Sequence, residues 1–341
     1  MKTKIALIGF GTVGQGLCEI LLSKKEYLKS KYDLEVNIVA ISDVLKGAVY
    51  CNNGLDVRQC LDLTEAGHSL ENYKGNCEKG WDSIRTIKET NADIICELAY
   101  TDVKSGEPAI THCKTAFENN KHIVTSNKGP AALQYSNLKS IAEKNNVKFM
   151  IEGTVMSGTP VLNLVNGPLA GCEITAIKGI LNGTTNYMFS EMEAGMTYDA
   201  VLKKAQKLGY AEADPTGDVE GFDAMAKVII LSSVVMNVGI KAADVDRHGI
   251  TNITPEMISN AKKENSRWKL IGSIEKVKEG IRASVIPEKL PLTHPLANIM
   301  GATNALTFTT DLLGDVTIIG AGAGRIETGY SILTDIIELN H

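Results

Sequence analysis

The stretch "KIALIGFGTVGQGLCEILLS", Lys4 to Ser23, decides the architecture. Ile5 to Ile8 read as an apolar strand, three glycines follow at Gly9, Gly11 and Gly14, and the remainder reads as an amphipathic helix. G-x-G-x-x-G between a strand and a helix is the context a dinucleotide needs. The first glycine makes the tight turn, the second admits a pyrophosphate close to the backbone, and the third lets helix and strand pack. The anion then rests on open N–H groups at the helix start. This makes Gly9, Phe10, Gly11, Thr12, Val13 and Gly14 the candidate cofactor loop. The competing explanation is a glycine turn kept for packing alone.

The pattern extends outward from there. "EVNIVAISD" (Glu35 to Asp43), "ADIICELA" (Ala92 to Ala99), "HIVTSNKG" and "VKFMIEG" read as strands, with a helical "EPAITHCKTAFENN" and Lys139 to Asn145 between them. Strands alternating with helices imply a doubly wound parallel sheet of the Rossmann type. Tyr50 to Asp82 lack a clear period and read as an irregular insertion. An acid about 20 positions beyond the glycines would bind the ribose of NAD. Asp43 ends the second strand 29 positions after Gly14, with Lys46 close by to accept a 2′-phosphate, so NAD and NADP both stay open.

After Gly153 the character changes. "EITAIKGILNG", "EGIRASVIPEKL" and "NALTFTTD" alternate like strands of a mixed sheet, and "TTNYMFSEMEAG" and "TYDAVLKKAQKLG" read as helices, the second with Gly209 as its cap. The final "VTIIGAGAGRIETGYSILTDIIELN" reads as strand, glycine turn and helix, a piece of the first domain returning. The expected organisation is an α/β dinucleotide domain at 1–152 with 318–341, and an α+β catalytic and dimerisation domain at 153–317.

Bulk properties exclude several classes. The chain has 341 residues with 35 basic and 40 acidic, and a net charge of −5 argues against a nucleic-acid partner. The longest apolar run, Val228 to Ile240, is broken by Ser232, Ser233 and Asn237, so no membrane span is expected. "MKTKIALIGF" imitates a signal peptide but runs straight into the glycines without a cleavage site. Seven cysteines without C-x-x-C argue against a disulfide framework or zinc site and for a reducing cytoplasm. Six histidines show no metal spacing, and none is assigned to catalysis.

"GYAEADPTGDVEGFDAMAK", Gly209 to Lys227, crowds five carboxylates and a lysine against the apolar "VIILSSVV". Asp223 and Lys227 are four apart and share a helix face, where the ordinary outcome is a surface ion pair. The helix beyond is apolar all round, which places Lys227 at a core edge. Burial disfavours an ammonium and a neighbouring carboxylate favours it, so a lysine in such a place can exchange protons. Asp214 before Pro215 carries an N-cap signature, and Glu220 reads as solvated.

That stretch, together with "GILNGTTNYM" (Gly179 to Met188), resembles homoserine dehydrogenase. Ala205, Gly209, Tyr210, Asp214, Pro215, Asp218, Gly221, Asp223 and Lys227 fill the family signature without a gap. "VTSNKGPAAL" is similar to the family's N-K segment, "IEGTVMSGTP" to its cation loop and "GAGAGRIET" to its C-terminal glycine turn. Two stretches depart from the pattern: Ala99, Tyr100 and Thr101 replace a T-P-T, and Met156 and Ser157 stand where small residues are usual.

The resemblance implies an enzyme that interconverts L-homoserine and L-aspartate 4-semialdehyde with NAD or NADP, in threonine and methionine biosynthesis. It implies Lys227 as general acid/base, Lys128 assisting, and Asp223 beside them. It places Glu212, Asp218, Asp223, Tyr210 and Thr184 on the substrate, and Ala99, Lys128, Gly209 and Gly324 near the cofactor. Thr184 and Thr185 read equally as helix caps, and Gly183 as a turn. A monovalent cation, Na+ or K+, is implied at Glu152, Val155, Ser157 and Thr159, where an ordinary loop is the rival reading. The family also implies a monofunctional chain without an aspartokinase module or regulatory tail, forming a homodimer or tetramer. The alternatives are another NAD(P)-dependent amino-acid or hydroxy-acid dehydrogenase, and a non-enzymatic NAD(P)-binding sensor.

Overall fold

The computed structural model describes residues 2–340, so Met1 and His341 lie outside the described residues. The chain divides into two compact units, residues 1–158 with 324–341, and residues 159–323.

The first unit is built on a seven-stranded sheet. Its strands are β1 (Lys2–Ile8), β2 (Glu35–Asp43), β3 (Gly47–Tyr50), β4 (Glu78–Lys79), β5 (Ile94–Glu97), β6 (His122–Thr125) and β7 (Phe149–Met150), in the order β4-β3-β2-β1-β5-β6-β7. β2, β1, β5, β6 and β7 run parallel, while β3 and β4 add antiparallel at one edge. Side chains of β1 alternate between two cores. Ile5 and Leu7 pack with Leu17, Ile38 and Ile332, whereas Ala6 and Ile8 pack with Val39, Ile95 and Phe117. A strand buried on both faces needs helices on both faces, which is the doubly wound arrangement. The chain leaves β1 toward β2 on one side and β5 on the other. The crevice outside the carboxyl ends of these strands is the ligand position of such sheets.

The second unit holds a six-stranded mixed sheet. Its strands are β8 (Ile174–Ile180), β9 (Val245–Arg247), β10 (Ser266–Val277), β11 (Gly280–Pro291), β12 (Thr303–Thr310) and β13 (Gly314–Ala321), in the order β13-β12-β8-β10-β11-β9. All neighbours are antiparallel except β11 and β9. Helices Gly183–Glu193 and Phe222–Val234 both pack against β10.

Several expectations need correcting. The segment 50–82 is not irregular: it contains the helix Val57–Glu65, capped by Asp56, whose carboxylate accepts from Arg58 N and Gln59 N. Its apolar residues Val57, Cys60 and Leu61 keep helical spacing, but over only nine residues in a mostly polar segment. Cys51 and Cys77 form a disulfide, against the expectation of none. They flank the β3–β4 pair, in which Tyr50 sits opposite Glu78, so a cross-strand approach unites cysteines remote in sequence. Of "HIVTSNKG" only His122–Thr125 is strand, and Lys128, three residues past its carboxyl end, opens a helix. β13 is fully paired with β12 and stays in the second sheet, so only the helix Arg325–Leu339 returns to the first unit.

Candidate active site

The glycine loop fits a pyrophosphate by its backbone. Gly9 has φ +100, and a Cβ there would lie 2.3 Å from the Leu98 carbonyl oxygen. A side chain at Gly14 would press to 2.9 Å from the Gly9 carbonyl. In front of Gly11 a Cβ would meet nothing within 4 Å, which is the open space a phosphate group requires. Helix Thr12–Ser23 starts at this glycine without a side-chain cap, so its first-turn N–H groups are available to an anion. Asp43 braces the loop from the end of β2. Its Oδ2 accepts from Phe10 N at 2.7 Å, and its Oδ1 from Leu45 N and Lys46 N at 2.9 Å each.

Lys128 is half-buried at the first position of helix Lys128–Lys144. Asn127 caps that helix, accepting from Gly129 N at 3.0 Å. Its Nδ2 donates to the carbonyls of Ala99 and Tyr100 at 3.3 and 3.2 Å, fixing the loop after β5. Gly324, at φ +146, precedes the returning helix; a Cβ there would strike Glu327.

Within the second unit a polar pocket is assembled by three pieces of chain. Helix Phe222–Val234 starts after Gly221, whose φ of +78 separates it from the short turn Thr216–Val219. Asp223 lies in its first turn. Lys227 is 5 % exposed, and its Nζ donates to Asp223 Oδ2 at 2.9 Å and to the Leu181 carbonyl at 2.6 Å. Asn182 Nδ2 donates to Asp218 Oδ1 at 2.7 Å and to Asp223 Oδ2 at 3.1 Å. Burial pushes the Asp218 carboxyl above the usual carboxylate range, and Asn182 opposes that shift. Thr184 Oγ1 donates to the Tyr210 carbonyl at 2.6 Å, and the Tyr210 ring meets Tyr187 edge-on at 5.0 Å.

The structure thus brings together Asp218, Asp223, Lys227, Thr184 and the Tyr210 backbone. Glu212 lies exposed in the following loop, where its carbonyl accepts from Gln206. Gly209 follows the cap residue Leu208 of helix Tyr198–Lys207. At φ +76 it lets Tyr210 N reach the Ala205 carbonyl. Asp214 Oδ1 accepts from Thr216 N at 3.1 Å, the bond expected of a cap two residues ahead, although the short turn is assigned from Thr216 rather than Pro215. The cap of helix Gly183–Glu193 is Asn182, not a threonine. Asn127 and Asn182 are the residues that sequence reasoning missed. The signal available was an asparagine directly before each glycine or lysine that opens a helix.

Of the proposed cation ligands, Glu152 is 2 % exposed and its N–H donates to Asp335 Oδ2. Val155 lies in the helix Gly153–Met156, which Ser157 ends at φ +55 with its hydroxyl 2.7 Å from Thr328 Oγ1. Thr159 belongs to the second unit, where its hydroxyl donates to the Ala321 carbonyl. Among the described residues no group of three or more His, Cys, Asp or Glu is placed to hold a metal ion. Among the described residues no helix is long and apolar enough to cross a membrane.

Two family models cover most of the chain: "Homoserine dehydrogenase, NAD binding domain" at residues 9–152 and "Homoserine dehydrogenase" at residues 160–337. An NAD(+)-dependent homoserine dehydrogenase of Pseudomonas canavaninivorans is 42% identical over 338 residues, covering 99% of this chain and 96% of the relative. A crystal structure from Archaeoglobus fulgidus, assigned to homoserine dehydrogenase, superposes with a TM-score of 0.89 at 37% identity and covers 99% of both chains. A hyperthermophilic archaeal homoserine dehydrogenase solved with NADPH gives 0.84 at 30% identity, covering 99% of this chain and 97% of that one.

Proposed function

The chain belongs to the homoserine dehydrogenase family, NAD(P)-dependent oxidoreductases acting on a CH–OH group, and from that premise we propose that Lys227 is its proton carrier. Bound nicotinamide supplies the hydride chemistry. When homoserine is oxidised, Lys227 accepts the hydroxyl proton, and in the reverse direction it returns that proton to the carbonyl oxygen. The observation that carries the reading is the near-complete burial of an amine held at one carboxylate and one carbonyl. Lys128 assists by polarising the substrate oxygen. Asp218, Asp223 and Glu212 bind the substrate ammonium, and Thr184 and Tyr210 shape the pocket around it.

The glycine loop from Gly9 to Gly14 holds the pyrophosphate, with Ala99, Lys128 and Gly324 toward the nicotinamide. NAD is the favoured cofactor. A 2′-phosphate approaching the end of β2 would meet the Asp43 carboxylate, which three backbone N–H groups hold in place. A monovalent cation suits Glu152 with the carbonyls of Val155 and Ser157. This rests on a buried carboxylate beside a helix end whose last carbonyls lack intrahelical donors. We place the protein in the cytoplasm, as is typical of the family; five of its seven cysteines are free, while the Cys51–Cys77 disulfide stands against a reducing compartment. It forms a homodimer, or a tetramer, through the second unit, where edge strand β13 exposes Ile319 and the turn before it exposes Leu312 and Leu313. Light scattering on the purified protein reads that state directly.

Steady-state turnover of homoserine with NAD and with NADP, in wild type and Lys227→Ala, tests the assignment. Near-wild-type turnover by the variant would remove Lys227 from the mechanism.

A further inference from the structure

Lys227 rests on a carboxylate that has a second anchor. Asp223 Oδ2 takes the lysine Nζ at 2.9 Å and Asn182 Nδ2 at 3.1 Å. The same Nδ2 also donates to Asp218 Oδ1 at 2.7 Å. The orientation of the amide is fixed by its other end, because Asn182 Oδ1 accepts from Thr185 N at 2.9 Å and from the Thr185 hydroxyl at 3.0 Å. A flipped amide would set its NH2 against the Thr185 N–H and its oxygen against two carboxylates. Asn182 is 4 % exposed, so water cannot readily replace it.

We propose that Asn182 is a positioning residue: its one NH2 group joins Asp218 to Asp223 and fixes the carboxylate on which Lys227 rests. Two carboxylates at one site repel unless a donor stands between them, and without it one takes up a proton. A neutral amide with two hydrogens satisfies both without adding a charge that would compete with a substrate ammonium. The same side chain starts helix Gly183–Glu193, so the helix that carries Thr184 and the acids that surround Lys227 share one anchor. The inference rests on the reading of Lys227 and the two acids as substrate machinery, and adds the part that holds them.

The test separates capping from bridging. Serine and aspartate cap a helix about as well as asparagine, yet neither offers an NH2 group. Asn182→Ser and Asn182→Asp are therefore compared with wild type for Tm, for the pH dependence of kcat/KM with homoserine, and for the titration of Lys227 followed by NMR after reductive 13C-methylation. Asn182→Ser is expected to keep Tm near wild type, whereas Asn182→Asp should lose Tm at neutral pH because it adds a third carboxylate to a buried cluster. The acid limb of kcat/KM should move to higher pH and its plateau fall by about 10-fold, more in Asn182→Asp because a third carboxylate joins the pair. The Lys227 titration should also shift. An acid limb and a Lys227 titration unchanged in both variants would overturn the proposal and leave Asn182 a cap alone. Should Lys227→Ala retain turnover, the proton-carrier reading fails separately, while the NMR titration still reports whether the bridge exists.

Discussion

The glycine loop at Gly9–Gly14 and the polar pocket around Lys227 are built from different materials. The loop is backbone: open N–H groups, a glycine at positive φ, and space where a Cβ would stand. The pocket is side chain: one amide, two carboxylates and an amine within hydrogen-bonding reach. A site made of backbone tolerates side-chain change unless the change adds bulk, whereas a site made of side chains loses function atom by atom. The first kind needs only local chain geometry. The second needs tertiary folding to bring its parts together.

The sharpest way to break this contrast is Lys227→Ala. We expect turnover to fall by about 10²-fold or more, with NADH affinity unchanged in a fluorescence titration. An equal loss of NADH affinity would mean the two sites are not separable. Next in size is Gly9→Ala, which forces a Cβ to 2.3 Å from the Leu98 carbonyl at a φ of +100. Overpacking of this kind costs about 1–3 kcal/mol and should appear in NADH binding and Tm, with kcat at saturating cofactor largely kept. Full NADH affinity in that variant would make the loop a packing turn.

Asp43→Asn is expected to act more weakly. It removes the charge and keeps one oxygen, which serves either Phe10 N or the Leu45 and Lys46 N–H groups but not both, so some Tm is lost, and the preference for NAD over NADP, read as a ratio of kcat/KM values, should fall by about 10-fold, or 1.4 kcal/mol. An unchanged ratio would take Asp43 out of cofactor selection. The smallest effect is that of Asp218→Asn on stability. Because burial raises the Asp218 pKa, the folded protein binds that proton more tightly than the unfolded chain does. Stability is therefore lost as pH rises from the ordinary carboxylate value through the raised one. The amide should remove that loss and lift Tm at neutral pH by at most about 2–4 °C, while KM for homoserine rises. A Tm difference that does not vary with pH would show that Asp218 titrates as an exposed acid.

Much of the first sheet was legible because its strands are buried on both faces and read as apolar runs bounded by turns. β2 begins and ends at Glu35 and Asp43, as its sequence suggests. The helix Val57–Glu65 went unread although Asp56 marks its start and Val57, Cys60 and Leu61 keep helical spacing, because it is only nine residues long within a polar segment. In the pocket, the Asp223–Lys227 pair could be read from helical spacing. The role of Asn182 could not, since its partners lie 36 and 41 residues away.

The sequence by itself determined the glycine turn, the alternation of strands and helices, and the family to which the chain belongs. Each of these is written in short-range pattern, where neighbouring residues set backbone conformation and burial. Tertiary structure alone decided that β13 pairs with β12 rather than returning to the first sheet, that Cys51 meets Cys77, and that one asparagine joins two acids. Those contacts depend on strand pairing and helix packing between distant segments, and no local preference of the residues involved specifies them.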